Sequence, residues 1–319
     1  MSILVTGGVG VIGSNVVREL ISQGEEVVVA DLREDRSLLG EISVPVECGD
    51  ICDQDFLTDV VRRWRVEKIM HLAAVMPDWA QANPYEAARI NTWGLISILE
   101  AARRAGISRV VFTSSKAAVG TLPHPYIHPD YQPVSENAAT NPYDVYGSAK
   151  LAAEVLGKQL AEEFGVDLIV LRLASTYGPG KTARHGKVGI LSAIIEGAYR
   201  GESVKIPSGA DQKNDFLYCK DIAQAVAKAG NSKLGGYHMF HVGSGRLASL
   251  RDFVAALQHQ LPSADITIGD GLDYAGGGSS HYFLMDIRAA RTMLDYQPFY
   301  DVERGVADYV STLRLQSRN

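Results

Sequence analysis

What the chain lacks narrows the field first. It has three cysteines in 319 residues (Cys48, Cys52 and Cys219), too few for a disulfide framework and wrongly spaced for zinc, so reduced, small packing residues are expected. It has no excess of positive charge: the formal net charge is −6, which gives no electrostatic reason to expect nucleic acid or an anionic membrane as partner. It has no long apolar span, and its first residues run into a strand pattern instead of a basic and then apolar leader. Its eight histidines are dispersed. Pro125 and Pro129 argue against a helix that would align His124 with His128, and odd spacing sends His238 and His241 to opposite faces of a strand. No metal site, internal repeat or low-complexity segment is expected. A soluble protein of a reducing compartment, the cytoplasm, is expected, with 46% hydrophobic residues to fill one large core or two smaller ones.

What is present centres on residues 141–150. Asn141 suits a helix cap and Pro142 a first turn, and Val145, Ala149, Ala152, Ala153, Leu156 and Leu160 recur at helical spacing, predicting a helix over 142–164. Tyr146 and Lys150 then lie one turn apart on one face. An ammonium beside a phenol favours the phenolate, which suits the pair to acid–base work near neutral pH. Tyr177 and Lys181 repeat the spacing, but Gly178, Pro179 and Gly180 between them rule out a helix there.

The N-terminal stretch reads as strand (2–6), glycine turn and amphipathic helix (15–23). Gly7 permits the tight turn, Gly10 lets the backbone approach a pyrophosphate, and Gly13 allows close packing of helix on sheet. The next strand (26–30) ends at Asp31, where a carboxylate meets the 2′-hydroxyl of NAD and repels the 2′-phosphate of NADP. Arg33 and Arg36 follow closely enough to offset that repulsion, so NAD is favoured and NADP left open. Asp50 and Ile51, after a strand over 44–48, are placed at the adenine. A helix over 54–63 and a strand over 68–74 follow, the latter ending in Leu72, Ala73 and Ala74, which let a cofactor lie against it. A long helix over 83–104 and strands over 109–113 and 166–173 complete an alternation that predicts a parallel, doubly wound α/β sheet with ligands at its carboxyl ends.

After Leu173 the alternation breaks down into a mobile loop (183–189), helices over 188–199, 221–229, 250–261, 287–294 and 302–315, and short strands near 204–206, 216–219 and 237–242. The reading is a dinucleotide-binding domain, 1–173 with 221–242, and a smaller discontinuous substrate lid, 174–220 with 243–319.

Taken together, Thr6-Gly7-Gly8-x-Gly10-x-x-Gly13, Asp31, Gly49-Asp50-Ile51, His71-Leu72-Ala73-Ala74, Asn91-x-x-Gly94, Phe112-Thr113-Ser114-Ser115, Pro142-Tyr143-x-x-Tyr146-Gly147-x-x-Lys150, Leu171-Arg172-Leu173, Tyr177-Gly178-Pro179 and Asp215-Phe216-x-Tyr218-x-x-Asp221 resemble the extended short-chain dehydrogenase/reductases. Within these, the likeness is to the NAD-dependent epimerase/dehydratase family typified by UDP-galactose 4-epimerase. The resemblance implies a Rossmann fold and NAD. It makes Tyr146 the acid/base and Ser115 its hydrogen-bonding partner, with Lys150 lowering the tyrosine pKa and holding the nicotinamide ribose. Cofactor contacts are then expected from Gly7, Gly10, Val11, Ile12, Gly13, Asp31, Leu32, Arg33, Asp50, Ile51, Leu72, Ala73, Ala74, Met76, Asn91, Thr113, Tyr146, Lys150 and Ala174. Substrate contacts are expected from Pro77, Ser115, Lys116, Tyr146 and Ser175. In such enzymes the counterparts of helices 83–104 and 142–164 form a four-helix bundle between two subunits, so a homodimer is expected, with Trp93, Leu95 and Leu99 supplying apolar contact.

Departures from the family pattern narrow the chemistry. Lys116 and Ala117 stand where dehydratases carry Asp-Glu, which argues against dehydration. Asn214 and Gly276-Gly277-Gly278-Ser279 stand where nucleotide-sugar enzymes carry arginines on the diphosphate, and charge-assisted bidentate contacts to phosphate go with them. Ser175 and Val119 replace a usual Asn and Tyr, while Lys116, Lys181 and Arg184 remain as candidate cations. The expected activity is reversible hydride transfer between NAD and a secondary alcohol or ketone carbon of a sugar, sugar acid or similar polyhydroxy compound. A UDP-sugar 4-epimerase is the alternative within the family, and a non-catalytic NAD(P)-sensing protein is the alternative from another class.

Overall fold

The computed structural model describes residues 2–181 and 189–317. The main sheet takes β1 (Ser2–Thr6), β2 (Val27–Asp31), β3 (Val46–Cys48), β4 (Val66–His71), β5 (Arg109–Ser115) and β6 (Asp167–Leu173). Shorter strands follow: β7 (Ser175–Tyr177), β8 (Val204–Ile206), β9 (Lys213–Asn214) and β10 (Phe216–Tyr218). β11 (Tyr237–Val242) then returns to the main sheet, before β12 (Ala248–Ser249) and β13 (Ile266–Ile268). The helices are α1 (Val11–Ser22), α2 (Gln54–Trp64), α3 (Pro77–Ala82), α4 (Pro84–Ala88), α5 (Gly94–Ala105) and α6 (Val145–Phe164). Further along come α7 (Ile190–Tyr199), α8 (Cys219–Asn231), α9 (Leu250–Gln260), α10 (Arg288–Leu294) and α11 (Val302–Gln316).

Seven strands form one sheet in the order β11-β6-β5-β4-β1-β2-β3, every neighbour parallel. Such a sheet is buried on both faces, which is why its strands read as unbroken apolar runs. Alternate residues go to opposite layers. Val5, Val29, Met70, Val111 and Ile169 pack with Val16, Val17 and Leu20 of α1 and Ile222 and Val226 of α8. Leu4, Val28, Ile69, Val110 and Leu168 pack with Leu57 of α2, Ile98 and Leu99 of α5 and Ala153 of α6. A third cluster, including Tyr177, Ile195, Phe216, Phe253 and Tyr309, lies among the elements after Leu173. Among the described residues no helix is long and apolar enough to cross a membrane.

Three expectations about elements need correction. The strand expected to reach Ala74 stops at His71; Leu72 still donates its N–H to the Thr6 carbonyl at 3.1 Å, and the chain then turns away over the glycine loop. The helix predicted over 83–104 is composite. Asn83 separates α3 from α4, and a π-turn (Arg89–Trp93) joins α4 to α5. The helix predicted from Pro142 begins at Val145, because Asn141 is drawn into a bridge with Gly120 and exchanges backbone hydrogen bonds with Val119 and Thr121. Asp144 is the cap instead, accepting the Gly147 N–H at 2.6 Å. The mobile loop expected at 183–189 falls outside the described residues except for its last position, as does Arg184.

Candidate active site

The carboxyl ends of the parallel strands share one edge, and the strand order reverses between β1 and β4 there. Gly7 adopts φ +71°, and a Cβ on it would stand 2.8 Å from the Ala73 Cα, so two backbones cross in contact. A Cβ on Gly13 would lie 2.1 Å from the Gly7 carbonyl oxygen, which locks α1 against the turn. Gly10 is the N-cap of α1 and no side chain caps that first turn. Val11 and Ile12 thus open α1 with no side chain capping that turn, an arrangement suited to a pyrophosphate.

Asp31 closes β2, its carboxylate accepting the N–H groups of Val9 and Arg33, each at 3.3 Å. Leu32 is exposed beside it, while the Arg36 guanidinium turns away to donate to the Val44 carbonyl at 2.9 Å. These residues fit the pyrophosphate and ribose of a dinucleotide. Asp50 pairs with Arg89 at 2.8 Å and accepts the Cys52 N–H at 2.8 Å. Burial works against its charge, but these partners outweigh it and hold the carboxyl below its usual range. Ile51 is buried against Gly94. The Asn91 amide is committed at both ends to Val75, donating to its carbonyl at 3.0 Å and accepting its N–H at 2.9 Å. Asn91 thus fixes the chain leading to Met76 and Pro77 and does not face the cleft.

Ser115 ends β5 and Tyr146 lies in the first turn of α6. The two elements interlock: a Cβ on Gly147 would stand 2.3 Å from the Ala117 carbonyl oxygen. Ser115 accepts the Ala117 N–H at 3.1 Å and also acts on Tyr146 as a hydrogen-bonding neighbour. Lys150 is buried and donates to the Thr113 carbonyl at 2.9 Å, with its ammonium 4.6 Å from the Phe112 ring centroid and 5.9 Å from that of Tyr146. The expected lowering of the tyrosine pKa is absent here. Burial pushes the Tyr146 phenol up to about 12, against the pull of Ser115, and Lys150 is turned towards β5. Burial also pushes Lys150 down to about 7, opposed by Glu154. Beneath them, His71 bonds Thr6 at 2.8 Å, stacks on Phe112 and is driven down to about 3 by burial and then by Lys150.

A cleft of about 610 Å³ opens over this cluster. It gathers Ile12, Met76, Pro77, Ser115, Lys116, Tyr146, Ala174 and Ser175 from the residues singled out in the sequence. Val11, Asp31, Leu32, Arg33, Asp50, Ile51, Leu72, Ala73, Ala74, Asn91, Thr113 and Lys150 lie outside its wall, along the strand ends or beneath the floor. Sequence reasoning quoted Tyr143 only as part of a motif and missed Thr176, Tyr274, His281 and Tyr282, all of which line the cleft. They come from separate segments, and only the approach of the tail to β5 brings them together; no spacing in the chain announces it. Among the described residues no group of three or more His, Cys, Asp or Glu is placed to hold a metal ion.

Comparison with known proteins agrees with this geometry. Residues 3–243 match the model of the NAD dependent epimerase/dehydratase family. A UDP-glucose 4-epimerase of Mycolicibacterium smegmatis is 30% identical over 325 residues, covering 100% of both chains. One from Azospirillum brasilense is 31% identical over 292 residues, covering 84% of this chain and 81% of its own. The crystal structure of UDP-glucose 4-epimerase with UDP-glucose from Thermotoga maritima superposes with a TM-score of 0.88 at 26% identity, covering 99% of this chain and 100% of that one. The chain belongs to the NAD dependent epimerase/dehydratase family and is an enzyme of the extended short-chain dehydrogenase/reductase type.

Proposed function

We propose that the protein catalyses reversible hydride transfer between NAD and a secondary alcohol or ketone carbon of a sugar, sugar acid or similar polyhydroxy compound. The observation that carries this reading is the joint presentation of Ser115 and Tyr146 in one cleft wall, with Lys150 behind them. The Gly7–Gly13 turn and the start of α1 hold the pyrophosphate, Asp31 the adenosine ribose, and Lys150 the nicotinamide ribose. NAD supplies the hydride acceptor. Tyr146 exchanges the hydroxyl proton and Ser115 holds the same oxygen. In this reading 1–173 with 221–242 carries the cofactor and 174–220 with 243–319 closes on the substrate.

A non-nucleotide substrate is supported by the cleft's cations. Among the described residues that line it, the cations are Lys116 and Lys181, and none is an arginine. Lys116 donates to Ser175 and Asn214, and Lys181 to Thr176, so neither makes the bidentate fork that clamps a diphosphate. The UDP-glucose 4-epimerases among the relatives favour a second reading, a UDP-sugar epimerase with no net redox. The test is NADH absorbance with purified protein, NAD and a panel of polyols, aldoses and sugar acids, beside conversion of UDP-galactose to UDP-glucose. Net NADH from a non-nucleotide compound supports the first reading. Interconversion without NADH supports the second, and the absence of both results overturns both readings.

The proposal also takes in a cytoplasmic location and a homodimer. Leu95 and Leu99 are fully buried in their own subunit and serve no interface, contrary to expectation. Tyr85, Trp93, Val155 and Leu156 are the apolar side chains that α4, the π-turn and α6 leave exposed. A monomer by light scattering at micromolar concentration would remove the dimer and leave the chemistry standing.

A further inference from the structure

Asn214 is buried in the wall of the cleft, and its side-chain amide is fully committed. Its Oδ1 accepts the Asp215 N–H at 3.0 Å and the Lys116 ammonium at 3.1 Å. Both are obligate donors, so the amide stands only one way, with its nitrogen left to donate. That nitrogen donates to the Ser175 hydroxyl and to the Tyr274 phenol, at 2.8 Å each. Ser175 Oγ accepts from Lys116 as well, at 3.2 Å. Each hydroxyl is thereby held as an acceptor and keeps its own hydrogen to give away, yet neither finds an acceptor among the described residues. Both residues line the cleft. The Tyr274 ring is held against Phe216 and Tyr282, at 6.3 and 5.0 Å between centroids. Its backbone is pressed on Gly209, where a Cβ would stand 2.5 Å from the Tyr274 Cα. The two O–H groups are therefore fixed in place and in polarity before any ligand arrives.

We propose that Ser175 and Tyr274 form a paired O–H donor site for an uncharged carbonyl oxygen of the substrate, apart from the carbon that exchanges hydride. The enzyme then acts on a sugar derivative that bears an amide, lactone or keto group. The inference rests on the hydride-transfer reading above and narrows its substrate class. Geometry suits a single acceptor. Both hydroxyl oxygens lie 2.8 Å from one nitrogen, and an oxygen placed opposite that nitrogen can accept from both through the two in-plane lone pairs of a carbonyl. A substrate hydroxyl is disfavoured because its own hydrogen would need an acceptor, and Asn214 Oδ1 and Ser175 Oγ each already take two donors. An anion is disfavoured as well. The Asp215 carboxylate already acts on the Lys116 charge, so a second carboxylate would enter without a counter-charge. Lys116 directly follows Ser115 and reaches Ser175, so the carbonyl and the reacting alcohol belong to one small molecule.

The test is calorimetric binding of glucuronamide, N-acetylglucosamine, glucuronate and glucose to the NADH-loaded protein. The wild type should bind at least one of the two carbonyl sugars about tenfold or more tightly than glucose, the worth of one or two net hydrogen bonds. It should also bind glucuronamide more tightly than glucuronate. Replacing both donors, Ser175→Ala with Tyr274→Phe, should abolish the carbonyl preference while NADH still binds. Asn214→Asp puts an acceptor where the amide nitrogen stands, which turns both O–H groups inward. The preference should then vanish with Ser175 and Tyr274 still present, and this variant decides the matter if the double one does not fold. Binding of neither carbonyl sugar ahead of glucose, tighter binding of glucuronate than of its amide, or a preference that survives either variant would each overturn the proposal. NADH production separates the two levels. A carbonyl preference in a protein that oxidises no sugar, sugar acid or polyol defeats the hydride-transfer reading alone, whereas oxidation without that preference defeats only the donor site.

Discussion

Glu154 and Arg172 form a buried ion pair: the guanidinium donates to both carboxylate oxygens at 2.6–3.1 Å, and both side chains are almost wholly excluded from solvent. Glu154 lies one turn beyond Lys150 on α6, and Arg172 is near the end of β6. Glu154 also accepts the Ser114 hydroxyl at 2.5 Å, so it ties α6 to β5 as well. The helix that presents Tyr146 and Lys150 is thereby pinned to the two strands whose ends make the site floor.

Breaking that pair leaves a buried charge without its partner. Glu154→Gln should destabilise the protein by about 3–5 kcal/mol, the range for removing one member of a buried pair. Urea denaturation checks the stability, and the surviving folded fraction should also turn over more slowly because Lys150 loses its support. A change below 1 kcal/mol would mean the pair is solvated in solution.

Removing the transferable proton should stop the chemistry without emptying the site. Tyr146→Phe keeps the ring that packs with Ala80, Ala87 and Ala117, so the fold and NADH binding should hold. Turnover should fall by about 10²–10⁴, the range of general acid–base catalysis. Near-normal turnover would remove Tyr146 from the mechanism.

In the proposed function, cofactor choice is set at the end of β2. Asp31→Ala removes the acceptor for the ribose hydroxyls and the repulsion of a 2′-phosphate together. The ratio of kcat/KM for NAD over NADP should drop by at least tenfold. A wild type that already prefers NADP would assign the pocket to Arg33, since Arg36 is engaged with Val44.

Stability of the cofactor-free protein should rise between about pH 7 and pH 9. Lys116 and Lys150 are both pushed down to about 7 by burial from the ordinary lysine value of 10.5, so in this window the unfolded chain binds more protons than the folded one, and stability increases with pH. Above about pH 9 the rise weakens, and at about pH 10 it gives way to a fall. Burial raises Cys219 from 9.0 to about 12 and Tyr146 from 10.0 to about 12, so there the unfolded chain loses protons first. Thermal midpoints across pH 6–10 test this, and Lys116→Met should flatten the rise.

The sheet, the glycine turn and the proposed catalytic trio were legible in the sequence alone, because each is written in local pattern. Apolar runs mark strands buried on both faces, glycines mark backbone crossings, and Tyr146 and Lys150 keep helical spacing within one element. Tertiary structure decided what local pattern cannot encode. Asn141 is a good cap by type, yet pairing with Gly120 removes it from the helix and leaves Asp144 to do the capping. Lys150 sits one turn from Tyr146, yet the Thr113 carbonyl claims its ammonium and burial, not charge, dominates the phenol. Leu95 and Leu99 read as interface residues until the packing of α5 on the sheet buries them. Lys116 has the rings of Tyr282 and Phe283 beside it only because the tail folds back over the end of β5. Such contacts depend on where whole elements dock, and burial then sets the charge and the hydrogen-bonding needs of the side chains they enclose.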